Sequence, residues 1–185
     1  PTPQAGHPAP DAAPHVITLF VGAGYPGARV LPRLPGAVAT GRSRPGDERL
    51  DLDHDERLRV DLPKDYAVIY SVPPAPDQPG DPRLARFLAL LPHPPIRLVY
   101  LSTTGVYGNR GGERVDEASE PRPESGRAER RLAAERLLAP WCTGRHSTAV
   151  VLRVQGIYGT GRVGTDRIGA AMPVLEEKDA NPGNL

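Results

Sequence analysis

The sequence predicts a Rossmann-like α/β fold, a three-layer sandwich with a mostly parallel, doubly wound sheet of about six strands. Three observations predict it. An apolar run over 16–21 leads directly into a glycine-rich turn, and a second apolar run over 66–72 ends in two prolines. Helical patterns alternate with further short apolar runs along the rest of the chain, which is typical of parallel sheets built from strand–helix–strand units.

The glycine-rich turn has the GxGxxG spacing and is formed by Gly22, Ala23, Gly24, Tyr25, Pro26 and Gly27. In dinucleotide-binding folds the first glycine permits the turn, the second leaves room for the pyrophosphate, and the third lets the helix lie close to the strand. The start of the helix adds free N–H groups and the positive end of a dipole. Because the turn follows a strand and opens a helix, it predicts a nucleotide site; a purely structural turn is the alternative.

A short second strand over 36–41 ends at Arg42, which stands twenty residues after Gly22. In NAD-preferring domains an acidic residue at about this distance binds the ribose hydroxyls, whereas an arginine suits a 2′-phosphate. Arg42 therefore favours NADP as the cofactor, with NAD as the alternative. The competing interpretation of Arg42 is a solvated charged loop, which the charges over 47–49 resemble.

The middle of the chain supplies the next elements. Alternation at Leu50 and Leu52 predicts a short third strand, with the acidic stretch 53–55 as a candidate neighbour of the adenine. The run 66–72 is expected to be a central parallel strand buried on both faces. The proline-rich loop 73–82 follows its carboxyl end, the edge where open α/β sheets bind ligands, so Ser71, Val72 and Pro73 are candidate cofactor contacts.

The remaining elements follow from periodicity. Leucines and Phe87 at helical spacing predict a helix over 83–91, and apolar runs predict strands over 96–101 and 148–154. A long helix is expected from Ser125 or Gly126 to about Leu138, followed by a connection that holds Trp141 and Cys142. A last helix is expected over 168–175.

Three further motifs accompany the turn: LVYLSTTGVYG at the fifth strand, the stretch 131–135 in the long helix, and LRVQGIYGTGR over 152–162. Together with the turn they make the chain similar to the extended short-chain dehydrogenases/reductases, the NAD(P)-dependent epimerase/dehydratase superfamily, and to an atypical branch of it. Relatives continue into a small carboxyl-terminal substrate lobe. The resemblance therefore implies that this lobe is missing here.

The resemblance also implies site residues. Thr103, four residues before Tyr107, maps onto the Ser or Thr that holds the substrate oxygen, and Ser102 beside it is a further cofactor candidate. The family moves the substrate proton with a Tyr whose pKa is lowered by a Lys four residues later. Here those two positions are Arg127 and Arg131, and no YxxxK occurs in the chain. A guanidinium stays protonated and cannot act as the base, so Arg131 is left as a candidate for ribose or phosphate binding.

Tyr107 is the substitute acid–base candidate; a tyrosine that packs or contacts substrate is the favoured alternative, since no lysine stands near it in sequence. Thr104 and Arg162 are candidate substrate contacts, Arg162 for an anionic group. The first functional hypothesis is an atypical NAD(P)-dependent oxidoreductase or epimerase/dehydratase that transfers hydride on a hydroxyl or carbonyl substrate such as a nucleotide sugar. The second is a catalytically silent NADP-binding sensor or partner-binding module.

Composition sets the remaining expectations. The 185 residues suggest one NAD(P)-binding domain over 15–175, preceded by a proline-rich disordered leader over 1–14 and followed by a polar tail over 176–185. A net charge of +1 implies no general attraction to nucleic acid or membrane. The single cysteine fits a reducing cytoplasm, and no metal-ligand spacing is found. The position of the helix 127–138 makes a homodimer a further expectation, because relatives often use it for dimer bundles.

Overall fold

The computed structural model describes residues 16–42 and 48–159 and confirms the Rossmann-like fold class. The expected leader, the helix expected over 168–175 and the polar tail lie outside the described residues. Within the described ranges the strands and α-helices, in chain order, are β1 (Ile17–Val21), α1 (Tyr25–Val30), β2 (Val38–Gly41), β3 (Glu48–Arg49), β4 (Tyr66–Tyr70), α2 (Pro82–Leu90), β5 (Arg97–Thr103), α3 (Gly126–Thr143) and β6 (Thr148–Val154).

The described strands form one sheet in the order β3-β2-β1-β4-β5-β6, and each neighbouring pair is parallel. The chain moves outward from β1 to β3 and then returns to the other side of β1 at β4. The carboxyl ends of β1 and β4 therefore meet where the direction of winding reverses, which is the place where doubly wound sheets bind ligands.

The main core lies on one face of the sheet. Alternate residues of β4 and β5 are fully buried there, and they pack with α2 and α3 around three large side chains, Tyr66, Tyr70 and Tyr100. The opposite face of β4 is only half-buried at Ala67 and Ile69. The expectation that this strand is buried on both faces is therefore wrong for the described part of the chain, because α2 and α3 both pack on the same side.

The third strand is shifted from its expected position. It forms at Glu48–Arg49, just before Leu50 and Leu52, and the two leucines are instead buried in the main core at 4% and 5% exposure. Their alternation thus reflects insertion of side chains into the core and not sheet pairing. The amide of Leu50 still donates to the carbonyl of Gly41 at 3.0 Å, which holds this segment to the end of β2.

The long helix α3 continues past its expected end at Leu138 to Thr143, so Trp141 and Cys142 lie within it and not in a connection. The ring of Pro140 falls in the last turn, where the missing N–H removes a single helical hydrogen bond. Burial of Cys142 at 2% exposure in the main core accompanies this continuation, and burial raises the pKa of its thiol.

Candidate cofactor-binding site

Gly22 turns the chain out of β1 and does so in a left-handed conformation, with φ +81°. An added Cβ would lie 2.6 Å from Val72 Cγ2 and 3.1 Å from the Val72 nitrogen. The turn is tied to both neighbouring strands: the Gly22 amide donates to the Thr40 carbonyl at 2.9 Å, and the Ser71 hydroxyl donates to the Gly22 carbonyl at 2.6 Å. Only glycine fits this position without strain.

The other two glycines of the motif have different surroundings. A Cβ on Gly27 would lie 3.0 Å from Ala23 Cβ and 3.1 Å from a ring carbon of Phe20, so α1 lies directly against β1. A Cβ on Gly24 would meet no described atom within 4 Å. The sequence-based expectations for the three glycines, a turn, an open approach and a close helix–strand contact, therefore agree with the geometry.

A cavity of about 700 Å³ opens above this turn at the carboxyl ends of β1, β2 and β4; we call it the turn cavity. Its size lies within the range of small-molecule sites. Of the residues expected to contact a cofactor, its wall contains Gly22, Gly24, Tyr25, Pro26, Arg42, Ser71, Val72 and Pro73. The other three candidates, Gly27, Ser102 and Arg131, do not line it, as far as the described residues form its wall.

Three charged side chains in the wall of the turn cavity interact with one another: Arg42, Asp53 and Arg83. Arg83, from the first turn of α2, donates to both carboxylate oxygens of Asp53, at 2.7 Å from Nε and 2.5 Å from Nη2. Arg42 Nη1 lies 4.0 Å from the same carboxylate, with 68% of its side chain exposed. The hydrogen bonds from Arg83 are the main cause that holds the pKa of Asp53 below its usual value, so the carboxylate is charged at neutral pH.

Arg131 lies behind the turn cavity. Its Nη1 donates to the Leu101 carbonyl at 2.8 Å, to the Tyr100 hydroxyl at 3.2 Å and to the Val72 carbonyl at 3.5 Å. The side chain is 8% exposed. Arg131 thus joins the carboxyl ends of β4 and β5 beneath Val72, while its contact with ribose or phosphate stays a prediction. Arg127, at the family's tyrosine position, is exposed.

Tyr107 belongs to a partly buried polar network. Its hydroxyl accepts a hydrogen bond from Arg153 Nη1 at 2.8 Å, and Arg153 Nη2 lies 2.8 Å from Glu135 Oε2. The Ser102 hydroxyl donates to the other oxygen of Glu135. Contact with Glu135 is the first cause that raises the pKa of the Arg153 guanidinium. The network, defined by these four residues, joins the fifth and sixth strands, the 3-10 turn Thr104–Tyr107 and α3.

The two threonines expected to contact substrate lie at the carboxyl end of β5, both half-buried. Thr103 Oγ1 accepts from the Gly105 amide at 3.2 Å and so begins the 3-10 turn, of which Thr104 is the first residue. Thr103 therefore lies at the edge of the sheet where open α/β folds bind ligands, and its contact with substrate stays a prediction. Arg162 lies outside the described residues.

Sequence reasoning missed several charged residues of these sites, and Arg83, Glu135 and Arg153 are the ones with the most extensive contacts. Arg83 meets Asp53 across thirty positions and Arg153 meets Tyr107 across 46, so no local spacing indicates either pair. The one usable signal was the charge of Arg153 within the otherwise apolar strand TAVVLRV.

Among the helices that the structure describes, none is both long and apolar enough to cross a membrane. Within 16–42 and 48–159, no group of three or more His, Cys, Asp or Glu side chains is placed to hold a metal ion.

Comparison with solved structures finds the same architecture. MoeE5 in complex with UDP-glucose and NAD superposes with a TM-score of 0.63 at 22% identity, over 80% of this chain and 56% of that one. RMD from Pseudomonas aeruginosa complexed with NADPH gives 0.62 at 23% identity, over 80% and 57%. A conserved protein of unknown function from Silicibacter pomeroyi gives 0.61 at 30% identity, over 84% and 57%. The chain thus spans somewhat more than half the length of these proteins.

A search of curated proteins gives no match. Among family models, that of the NAD dependent epimerase/dehydratase family matches residues 83–178, more than half of the chain. The matched range contains nearly all of α2 together with β5, α3 and β6, and with them the three motifs that accompany the glycine turn. The glycine turn precedes the matched range and lies outside it. This chain therefore belongs to the NAD dependent epimerase/dehydratase family.

Proposed function

We propose that the turn cavity binds a nicotinamide dinucleotide, with NADP preferred over NAD. The observation that carries the proposal is one cavity of about 700 Å³ whose wall holds both the Gly22–Gly24 turn and Arg42. Gly24 leaves the approach to the turn open, which suits a pyrophosphate, and the exposed guanidinium of Arg42 suits a 2′-phosphate. These residues fit the cofactor that the family implies. When bound, it supplies a hydride acceptor or donor.

For the reaction we propose hydride transfer on a substrate that carries a hydroxyl or carbonyl group, with a nucleotide sugar as the leading class. UDP-glucose accompanies NAD in the MoeE5 complex, which supports that class. In this proposal Thr103 hydrogen-bonds the substrate oxygen from the carboxyl end of β5, Thr104 and Arg162 contact the substrate, and Tyr107 moves the proton. Its hydroxyl already accepts a bond from Arg153.

A second candidate function is NADP binding without chemistry, as a sensor or partner-binding module. Two observations favour it. The family's Tyr and Lys positions hold Arg127 and Arg131, and Arg131 is bonded to main-chain carbonyls. Tyr107 is 4% exposed and packs with Val106 and Leu132, so its hydroxyl would have to become accessible before it could meet a substrate.

One experiment separates the candidates. The protein is titrated with NADPH and with NADH by fluorescence, and oxidation is then followed with a panel of carbonyl compounds and nucleotide sugars. Binding with turnover supports the enzyme, binding without turnover supports the silent module, and no binding of either nucleotide overturns both. Arg42→Asp is expected to abolish the NADPH preference. Arg136→Asp, an exposed arginine of α3 away from the turn cavity, is the matched control.

A further inference from the structure

The turn cavity contains a carboxylate that should by itself oppose NADP. Asp53 lines the cavity, and its Oδ2 lies 4.0 Å from Arg42 Nη1. An uncommitted carboxylate beside the adenosine ribose would accept hydrogen bonds from a 2′-hydroxyl and repel a 2′-phosphate. It would also compete with the phosphate for the guanidinium of Arg42. Both effects favour NAD, against the preference that Arg42 predicts.

Arg83 binds the Asp53 carboxylate and so limits its competition with a 2′-phosphate for Arg42. It bonds both oxygens of Asp53, a bidentate arrangement that is among the stronger ion-pair geometries. Its Nη1 also donates to the Pro73 carbonyl at 3.2 Å, which fixes the guanidinium to the loop after β4. Only 16% of the Arg83 side chain is exposed, against 68% for Arg42. The better-held partner of Asp53 is therefore Arg83, and Arg42 stays directed to solvent.

The net charge of the three side chains also favours NADP. Arg42, Asp53 and Arg83 together carry a net charge of +1, which attracts a phosphate dianion. Without Arg83 the remaining pair is neutral, and Asp53 is free to turn towards Arg42. We infer that Arg83 is a positioning residue that sets the cofactor preference of this cavity by holding Asp53 away from the 2′ position. This inference rests on the proposed NADP site and adds to it a determinant on a different element of the fold.

The test is fluorescence titration of the full chain with each nucleotide. The quantity compared is the dissociation constant of NADH divided by that of NADPH, which is large when NADPH is preferred. Arg83→Met keeps the apolar stem and removes the guanidinium, and it is expected to lower the ratio roughly five- to tenfold, the effect of one charge interaction near the surface. In the double variant Arg83→Met with Asp53→Asn the ratio is expected to return towards the wild-type value. Arg86→Met, in the next turn of α2 and outside the cavity wall, is the control and is expected to keep the ratio.

The outcomes are distinguishable. A wild-type protein that binds neither nucleotide refutes the proposed function itself. A wild type that prefers NADPH, with an unchanged ratio in Arg83→Met, refutes only the inference. Failure of the double variant to restore the ratio also refutes it, because Arg83 would then contact the phosphate directly. Asp53→Asn alone provides a test that does not depend on folding of Arg83→Met: the NADPH preference should be kept or increased, and a decrease contradicts the inference.

Discussion

Gly22→Ala tests the local geometry on which the whole site depends. The substitution places a Cβ on a residue with φ +81°, 2.6 Å from Val72 Cγ2 and 3.1 Å from the Val72 nitrogen. The Cγ2 atom can move by rotation of the valine side chain, but the nitrogen belongs to the segment that leaves β4. The amide of the neighbouring Ser71 is held to β1 through the Val21 carbonyl at 2.9 Å. Relief of the contact therefore requires the turn and this segment to separate.

The magnitude follows from three contributions. A non-glycine residue in the left-handed region costs about 1–2 kcal/mol, and an extra carbon forced into a packed site costs about 1–3 kcal/mol. Alanine also reduces the backbone freedom of the unfolded chain, which stabilises the folded variant by about 0.4–1 kcal/mol. The middle of each range gives an expected net destabilisation of about 3 kcal/mol, which corresponds to a decrease in Tm of roughly 6–12 °C for a chain of this size.

Circular dichroism during thermal and urea unfolding measures this loss, and Gly24→Ala is the matched control. A Cβ at Gly24 meets open space, so this variant is expected to keep the wild-type Tm within a few degrees but to bind NADPH much more weakly. A Gly22→Ala protein as stable as the wild type would refute the steric reasoning. A Gly24→Ala protein with wild-type affinity for NADPH would show that the pyrophosphate does not approach this turn.

Three further predictions concern the ion pairs and a helix cap. Asp53→Asn should be less stable than the wild type near neutral pH. Because Arg83 holds the pKa of Asp53 below 3.8, this difference in Tm should shrink as pH falls below 3.8, and a difference that does not shrink would contradict the prediction. Glu135→Gln leaves the cation of Arg153 without its carboxylate and should lower the free energy of unfolding, measured in urea, by about 3 kcal/mol. The double variant Glu135→Gln with Arg153→Met should lose less than the sum of the two single variants, and strict additivity would show that the two residues are not coupled. Ser125→Ala removes the acceptor of the Ala128 amide at the start of α3 and should cost about 1 kcal/mol, while Ser125→Asp, measured alongside it, should retain most of that stability.

Much of the fold could be predicted because its determinants are local. The strand over 148–154 matches its expected bounds, and the helix expected over 83–91 is shifted by one residue to Pro82–Leu90. The errors occurred where tertiary packing overrides a local pattern. Leu50 and Leu52 alternate like a strand because both enter the core. Helix α3 passes Pro140 and brings Cys142 into that same core.

In the candidate site too, the local features could be predicted from the sequence and the contacts between distant residues could not. The requirements for Gly22, Gly24 and Gly27 are visible in sequence, because each concerns the backbone of one short turn. The spacing from Gly22 to Arg42 is also readable, since one strand–helix–strand unit has a narrow range of lengths. The surroundings of Tyr107 and Arg131 could not be read, since their hydrogen-bond partners lie on elements far away in the chain.

The sequence by itself determined the parallel fold, the glycine turn, the arginine that follows β2 and the absence of YxxxK. Each is a property of residues close together in the chain, where sterics and periodicity act directly. Only the tertiary structure decided that Arg83 holds Asp53 and that Arg153 meets Tyr107. The contact of Arg153 with Tyr107 depends on β5 and β6 becoming neighbours in the sheet, and that of Arg83 with Asp53 depends on where α2 packs relative to the segment after β3. A charged side chain is then fixed by the partner that folding places beside it.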